Sequence, residues 1–177
     1  MSDLLSRRRQ LTSMQTMEKN RLKIMPDKLA SSINPVLTVF KNQIEKVDKK
    51  LVKLIEECPE YQAKNDILQS MPGIGHIVAF SLLADMPELG NISSKQAAAL
   101  VGVAPFNRES GSYKGQRNIK GGRYQIRTAM FMAMMSAIQC NPVFKAKYEQ
   151  LVADGKPKKN RSYCLCQEDD CYLKFYA

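Results

Sequence analysis

The chain has 177 residues, 27 Lys and Arg against 17 Asp and Glu, and a formal charge of +10. That length allows one domain with a sizeable core, or a small core plus an extended helical segment, and excludes two full catalytic domains. The charge favours a polyanionic partner, nucleic acid or an acidic membrane surface, while the longest apolar stretch, residues 129–138, is too short to span a bilayer and contains Ser136.

No signal-peptide pattern opens the chain, and its cysteines, Cys58, Cys140, Cys164, Cys166 and Cys171, are odd in number and crowded toward one end. A cytoplasmic protein with no disulfide framework and no membrane partner is expected.

In chain order, residues 3–25 are basic and carry Leu4, Leu11, Met14, Leu22 and Met25 in a loose helical pattern that Pro26 breaks. Asn34-Pro35 has the form of an N-cap followed by proline at the first helical position, so a second helix is predicted to start there. Beyond it Leu37, Phe40, Ile44, Val47, Leu51, Leu54 and Cys58 alternate steps of three and four, which is a coiled-coil seam, and Pro59 ends it. Residues 1–60 are expected to form an antiparallel coiled-coil hairpin. The seam serves either packing within one bundle or a homo-oligomer.

From Tyr61 to Lys159 a compact helical domain is expected. Leu68 and Met71-Pro72-Gly73-Ile74-Gly75 lead into the apolar run 77–83, and Pro87 and Gly90 mark a loop. Ser93 and Gln96 have the spacing of a capping box opening a short alanine-rich helix, which residues 102–105 close. Residues 107–122, rich in glycine and charge, predict a loop or short hairpin. A helix over 123–140, apolar on nearly every side, is expected at the buried centre. After Asn141-Pro142, the side chains of Phe144, Tyr148 and Leu151 share one face of a last helix stopping near Gly155.

Two constellations bear on chemistry. The run from Met71 to Gly75 resembles the hairpin of helix-hairpin-helix modules, in which Gly73 and Gly75 let backbone amides approach a phosphate and the following helix adds its dipole. The alternative is a tight turn between packed helices, with His76 incidental. The second is the stretch 107–127, where Arg108, Lys114, Arg117, Lys120, Arg123 and Arg127 accompany one acid, Glu109. A serine on a glycine-rich loop beside fixed cations suits attack on a phosphodiester, because the transition state adds negative charge. Passive phosphate binding is the alternative by composition alone.

The run from Met71 to Gly75, Leu100-Val101-Gly102-Val103-Ala104-Pro105, Glu109-Ser110-Gly111, and Gly121-Gly122-Arg123 with Arg127 resemble the C-terminal domain of an insertion-sequence transposase family related to the Piv invertase. Arg7-Arg8-Arg9-Gln10-Leu11 and Glu18-Lys19-Asn20-Arg21-Leu22 resemble the start of its linking coiled coil, so the likeness covers residues 4–159. Members pair a RuvC-like domain bearing a DEDD acid set with a serine domain, and some are guided by a bridge RNA. The resemblance implies that Ser110 is a nucleophile joining to a DNA 5′ phosphate, with Ser112 the second choice. It implies too that Arg108, Lys114, Lys120, Arg117, Arg123 and Arg127 hold the DNA. The proton acceptor in the family is the RuvC-like acid set with magnesium. That domain is missing from this sequence, so a fragment inactive alone, with no cofactor of its own, is expected. The expected partners are DNA, a guide RNA and a second copy; a non-catalytic nucleic-acid-binding protein that modulates a full-length transposase is the alternative.

Residues 160–177 depart from the family, which continues with an apolar helix there. One permitted choice of codons for this segment, read one base later, encodes IALIACARKMIAILNSM, an amphipathic helix of the expected kind. The visible tail has no helical period, so a frameshift near Asn160 is predicted, with Cys164, Cys166 and Cys171 accidental neighbours rather than metal ligands.

Overall fold

The computed structural model describes residues 1–71, 73–106, 109–110, 113–114 and 118–155. The tail segment 160–177 and its frameshift lie outside the described residues, as do Arg108, Ser112 and Arg117. The fold is mainly helical, as expected, and divides into two compact units, Met1–Ala63 and Lys64–Ala177.

The first unit is a helical hairpin. Helix α1 spans Ser2–Ile24, a 3₁₀ turn follows at Asp27–Leu29, and α2 spans Ala30–Glu56. Arg8, early in α1, meets Asp48, late in α2, through Nε to Oδ1 at 2.6 Å and Nη2 to Oδ2 at 3.3 Å, so the helices run antiparallel. The side of α1 that is withdrawn from solvent follows Leu4, Leu5, Arg8, Leu11, Gln15, Glu18 and Leu22. Met14 and Met25, expected in that pattern, are exposed, because the stripe steps by four from Leu11 to Gln15 and because α1 has ended before Met25.

Two expectations for α2 are corrected. The helix starts at Ala30 rather than at Asn34, leaving Pro35 inside it. The 3₁₀ turn already directs the chain into a helix, and Ser31 and Ser32 help hold the entry by donating their hydroxyls to the carbonyls of Lys28 and Leu29. The absent proline N–H removes one helical hydrogen bond, on an exposed side where water reaches the orphaned carbonyl. The seam runs through Ile33, Leu37, Phe40, Ile44, Val47 and Leu51 and then passes to Ile55, 3% exposed, rather than Leu54, 39% exposed. A helix with 3.6 residues per turn drifts against a strict seven-residue repeat, and the second consecutive step of four absorbs the drift.

Helix α3, Pro59–Gln69, opens with proline at its first position, where the missing N–H costs nothing. Helix α4 spans His76–Asp85, and α5 covers Ser94–Val101. The Ser93 and Gln96 capping box forms: the Gln96 amide donates to Ser93 Oγ at 3.4 Å, and the Ser93 amide donates to Gln96 Oε1 at 2.9 Å. Gly102 closes α5 with φ +80°. Helices α6, Tyr124–Cys140, and α7, Pro142–Ala153, complete the unit, with Asn141 capping α7 by accepting from the Val143 amide at 2.9 Å.

The core of the second unit gathers around α6. Ile126, Met130, Ala133, Met134 and Ala137 are buried among Leu82 and Met86 at the end of α4, Ala97 and Val101 of α5, Val103, and Leu151 of α7. Phe144 and Tyr148 pack on the same cluster, as the spacing predicted. Tyr124 and Met132 stand out to solvent, so α6 is central without being buried all round.

Between α5 and α6 the chain forms short two-stranded ladders in place of a plain loop. Strand β1, Pro105–Phe106, pairs antiparallel with β4, Asn118–Ile119, and β2, Glu109–Ser110, pairs antiparallel with β3, Tyr113–Lys114. The registers, Pro105 opposite Ile119 and Ser110 opposite Tyr113, nest one hairpin inside the other.

Candidate nucleic-acid interface

Ser110 is exposed and sits at the inner end of this ribbon, opposite Tyr113 and one position beyond the Glu109 and Lys114 pair. The outer ladder of β1 and β4 is fixed at its base. Gly102, Gly121 and Gly122 have φ of +80°, +78° and +73°, a region that L side chains rarely adopt. A Cβ on Gly102 would stand 2.9 Å from the Gly121 carbonyl carbon and from Gly122 Cα, and one on Gly122 would strike the backbone of Gly102 and Val101. The end of α5 and the entry to α6 therefore meet backbone on backbone. The Arg123 amide donates to the Leu100 carbonyl at 2.9 Å, adding a bond across the same junction.

Two of the arginines assigned to DNA by resemblance take part in this framework. Arg127 Nη1 donates to the Gly121 carbonyl at 2.7 Å and to the Gly102 carbonyl at 3.3 Å, tying the two glycine turns together. Its guanidinium carbon lies 5.7 Å from the centre of the Tyr124 ring. Arg123 forms a bidentate pair with Glu88, Nη1 to Oε2 at 2.8 Å and Nη2 to Oε1 at 2.6 Å, and Nη1 also donates to the Asp85 carbonyl at 2.6 Å. The Arg123 hydrogen bonds hold the Glu88 carboxyl at about 2, well below the ordinary 4.5, and the same pairing raises the Arg123 guanidinium. Glu88 was not legible as a partner, since 35 residues separate it from Arg123 and no local pattern joins them.

Lys120 is exposed beside Gly121, and Lys114 takes its place in the ribbon through its backbone pairing with Glu109. The earlier glycine motif lies farther along α6. A Cβ on Gly73, whose φ is +87°, would stand 2.5 Å from the Ala133 carbonyl oxygen and 2.8 Å from the Ala137 nitrogen. Gly73 thus lets the turn between α3 and α4 seat on the α6 backbone. Gly75 is different: it is the exposed N-cap of α4, and a Cβ there would meet nothing within 4 Å. His76, at the start of α4, is exposed, and its ring centre lies 6.0 Å from that of the buried Phe80. At 1.5 Å per helical residue, the Gly73 contact and the Arg127 clamp are separated by roughly 9–15 Å along α6.

Sequence reasoning also passed over Tyr124, 70% exposed at the first position of α6, and Phe106, 58% exposed on β1. Their signal was an aromatic next to a basic residue or on a turn-rich stretch, too common to single out. Among the described residues no helix is long and apolar enough to cross a membrane.

Comparison with known proteins finds relatives by sequence. The chain is 29% identical over 137 residues to the insertion element IS110 uncharacterized 43.6 kDa protein of Streptomyces coelicolor, which covers 76% of this chain and 32% of that protein. It is 29% identical over 124 residues to the pilin gene-inverting protein of Moraxella bovis, covering 68% of this chain and 38% of that protein, and equally so to the one from Moraxella lacunata. The chain thus spans about a third of the length of these relatives. The matching family model, Transposase IS116/IS110/IS902 family, covers residues 65–149, from α3 through most of α7 and including the ribbon and its glycine root.

Proposed function

We propose that the chain is part of a DNA transposase or recombinase, and that Ser110 is its nucleophile. The observation that carries the reading is the exposure of Ser110 in the segment between β1 and β4, whose base is fixed by Gly102, Gly121, Gly122 and Arg127, within residues that match the transposase family model. A nucleophile that must meet one phosphorus atom gains from a rigid base, because misplacement by an ångström is costly in rate.

In the proposed step a bond forms between Ser110 Oγ and a DNA phosphorus, and the bond from that phosphorus to the 3′ oxygen breaks. The serine proton passes to a base, and the departing 3′ oxygen takes up a proton, leaving a 5′ phosphoserine link. A second 3′ hydroxyl reverses the step on another strand, with no outside energy source. Arg108, Lys114, Arg117 and Lys120 supply positive charge around the phosphate, and Gly75 at the head of α4 supplies a second backbone contact of the helix-hairpin-helix kind. Among the described residues no group of three or more His, Cys, Asp or Glu is placed to hold a metal ion. The proton acceptor is assigned to RuvC-like acids supplied from outside these residues. A guide RNA, pairing of two copies through the α1 and α2 hairpin as a coiled coil, and a frameshifted tail at 160–177 belong to the same reading.

A non-catalytic binding role is favoured by one observation: Arg123 and Arg127, two of the six cations in the stretch 107–127, are bonded within the second unit. The deciding experiment incubates the full chain with nicked DNA, magnesium and a separately supplied RuvC-like domain. A covalent protein–DNA adduct that vanishes in Ser110→Ala is expected. Salt-sensitive binding with no adduct would favour the non-catalytic role.

A further inference from the structure

At the foot of the ribbon, Ile119, Tyr124, Arg127, Thr128 and Phe131 line a cleft of about 330 Å³. It joins the last residue of β4 to the first two turns of α6. Its walls combine three kinds of group. Ile119 and Phe131, both half-buried, give it an apolar side. The Tyr124 ring, 70% exposed, offers an aromatic surface, with the Arg127 guanidinium 5.7 Å from its centre. The Thr128 hydroxyl donates to the Tyr124 carbonyl at 3.0 Å, leaving its oxygen as an acceptor at the rim.

We propose that this cleft takes one unpaired base of a DNA strand, stacked against Tyr124, with the adjoining phosphate toward Arg127 and the neighbouring Lys120. Small-molecule sites hold roughly 300–1,000 Å³, so a cleft of this size suits a single ring system and is far too small for a duplex. A base offers its face only when it is unpaired, and an aromatic side chain beside a guanidinium is a sequence-tolerant platform for such a face. The chain's +10 charge supplies the attraction to the backbone. DNA is chosen as the occupant because the proposed function acts on DNA. The inference rests on the nucleic-acid reading above and adds to it a site for one unstacked nucleotide.

The test uses the full chain and a single-stranded DNA of about 12 nucleotides, within the usual site size, carrying the fluorescent base 2-aminopurine. Binding is expected to quench the probe in the unaltered chain and in Tyr124→Phe. Tyr124→Ala, an exposed position at a helix start, should keep its circular dichroism, lose the quench, and bind the single strand about tenfold more weakly with duplex affinity unchanged. Equal quenching and affinity in Tyr124→Ala, or equal losses on single strand and duplex, would overturn the site. Tighter Tyr124-dependent binding to an RNA of the same sequence would overturn its assignment to DNA. If the unaltered chain bound no nucleic acid at all, the reading beneath the inference would fail first.

Discussion

The α1 and α2 hairpin and the root of the ribbon are held together by different kinds of contact. In the hairpin, side chains meet along a stripe that admits Arg8, Gln15 and Glu18 among its apolar members and passes from Leu51 to Ile55 when the repeat drifts. At the ribbon root, backbone meets backbone through Gly102, Gly121 and Gly122, and Arg127 bonds the carbonyls of two of these turns together. Side chains can change rotamer to accommodate a neighbour, whereas a main chain in contact with another can yield only by moving an element. The hairpin should therefore tolerate change gradually, and the ribbon root should fail at single positions.

The sharpest way to break that comparison is Gly122→Ala. The new methyl would collide with the backbone of Gly102 and Val101 while also holding a left-handed φ of +73°. A loss of more than about 3 kcal/mol is expected, from strain of about 1–3 kcal/mol with the overlap added. Gly121→Ala shares the positive φ, at +78°, but a Cβ there meets nothing within 4 Å, so only the strain, about 1–2 kcal/mol, should appear. Urea denaturation of both variants measures the difference. Equal losses would show that conformation, not close approach, governs the root.

The hairpin gives the next effect. Leu51 is fully buried and Leu54 is 39% exposed, so Leu51→Ala should cost about 2–5 kcal/mol and Leu54→Ala under about 1 kcal/mol, read from urea midpoints. The reverse order would restore the strict seam that the bare spacing suggests. Here the limits of the sequence are specific. The alternation through Leu37, Phe40, Ile44, Val47 and Leu51 marks the buried side of α2 correctly, since a helix carries its own period. Where that period ceases to match seven depends on the partner helix, which spacing within α2 does not contain.

In the second unit the same distinction recurs. The Ser93 and Gln96 box and the face of Phe144, Tyr148 and Leu151 are local patterns, and each was legible. The glycines were legible as turns but not as contacts: Gly73 against Ala133, and Gly102 against Gly122, join residues 60 and 20 positions apart. The cations around Ser110 were legible as a cluster, yet Arg123 and Arg127 bond to Glu88, Asp85, Gly102 and Gly121. Composition reports how many charges a loop holds, and only the fold reports which of them already have partners.

The smallest expected effect concerns the pair that fastens α6 to the loop after α4. The Arg123 hydrogen bonds lower the Glu88 carboxyl to about 2 from 4.5, so the folded chain keeps this group ionised where the unfolded chain has begun to protonate it. Between these two values the unfolded state binds more protons, and stability must rise with pH. The pair's contribution is therefore full above about 4.5 and is lost as pH falls toward about 2. Both side chains are about a third exposed, at 35% and 38%, so solvent screens the interaction and the slope should be shallow. Glu88→Gln keeps the shape of the side chain but removes its titration, and the difference in urea midpoint between variant and parent, followed through this window, isolates the group from other carboxylates. A difference that shrinks as pH falls would locate part of the domain's acid sensitivity at this junction, whereas a constant difference would mean that Arg123 holds its place through the Asp85 carbonyl and the Leu100 backbone alone.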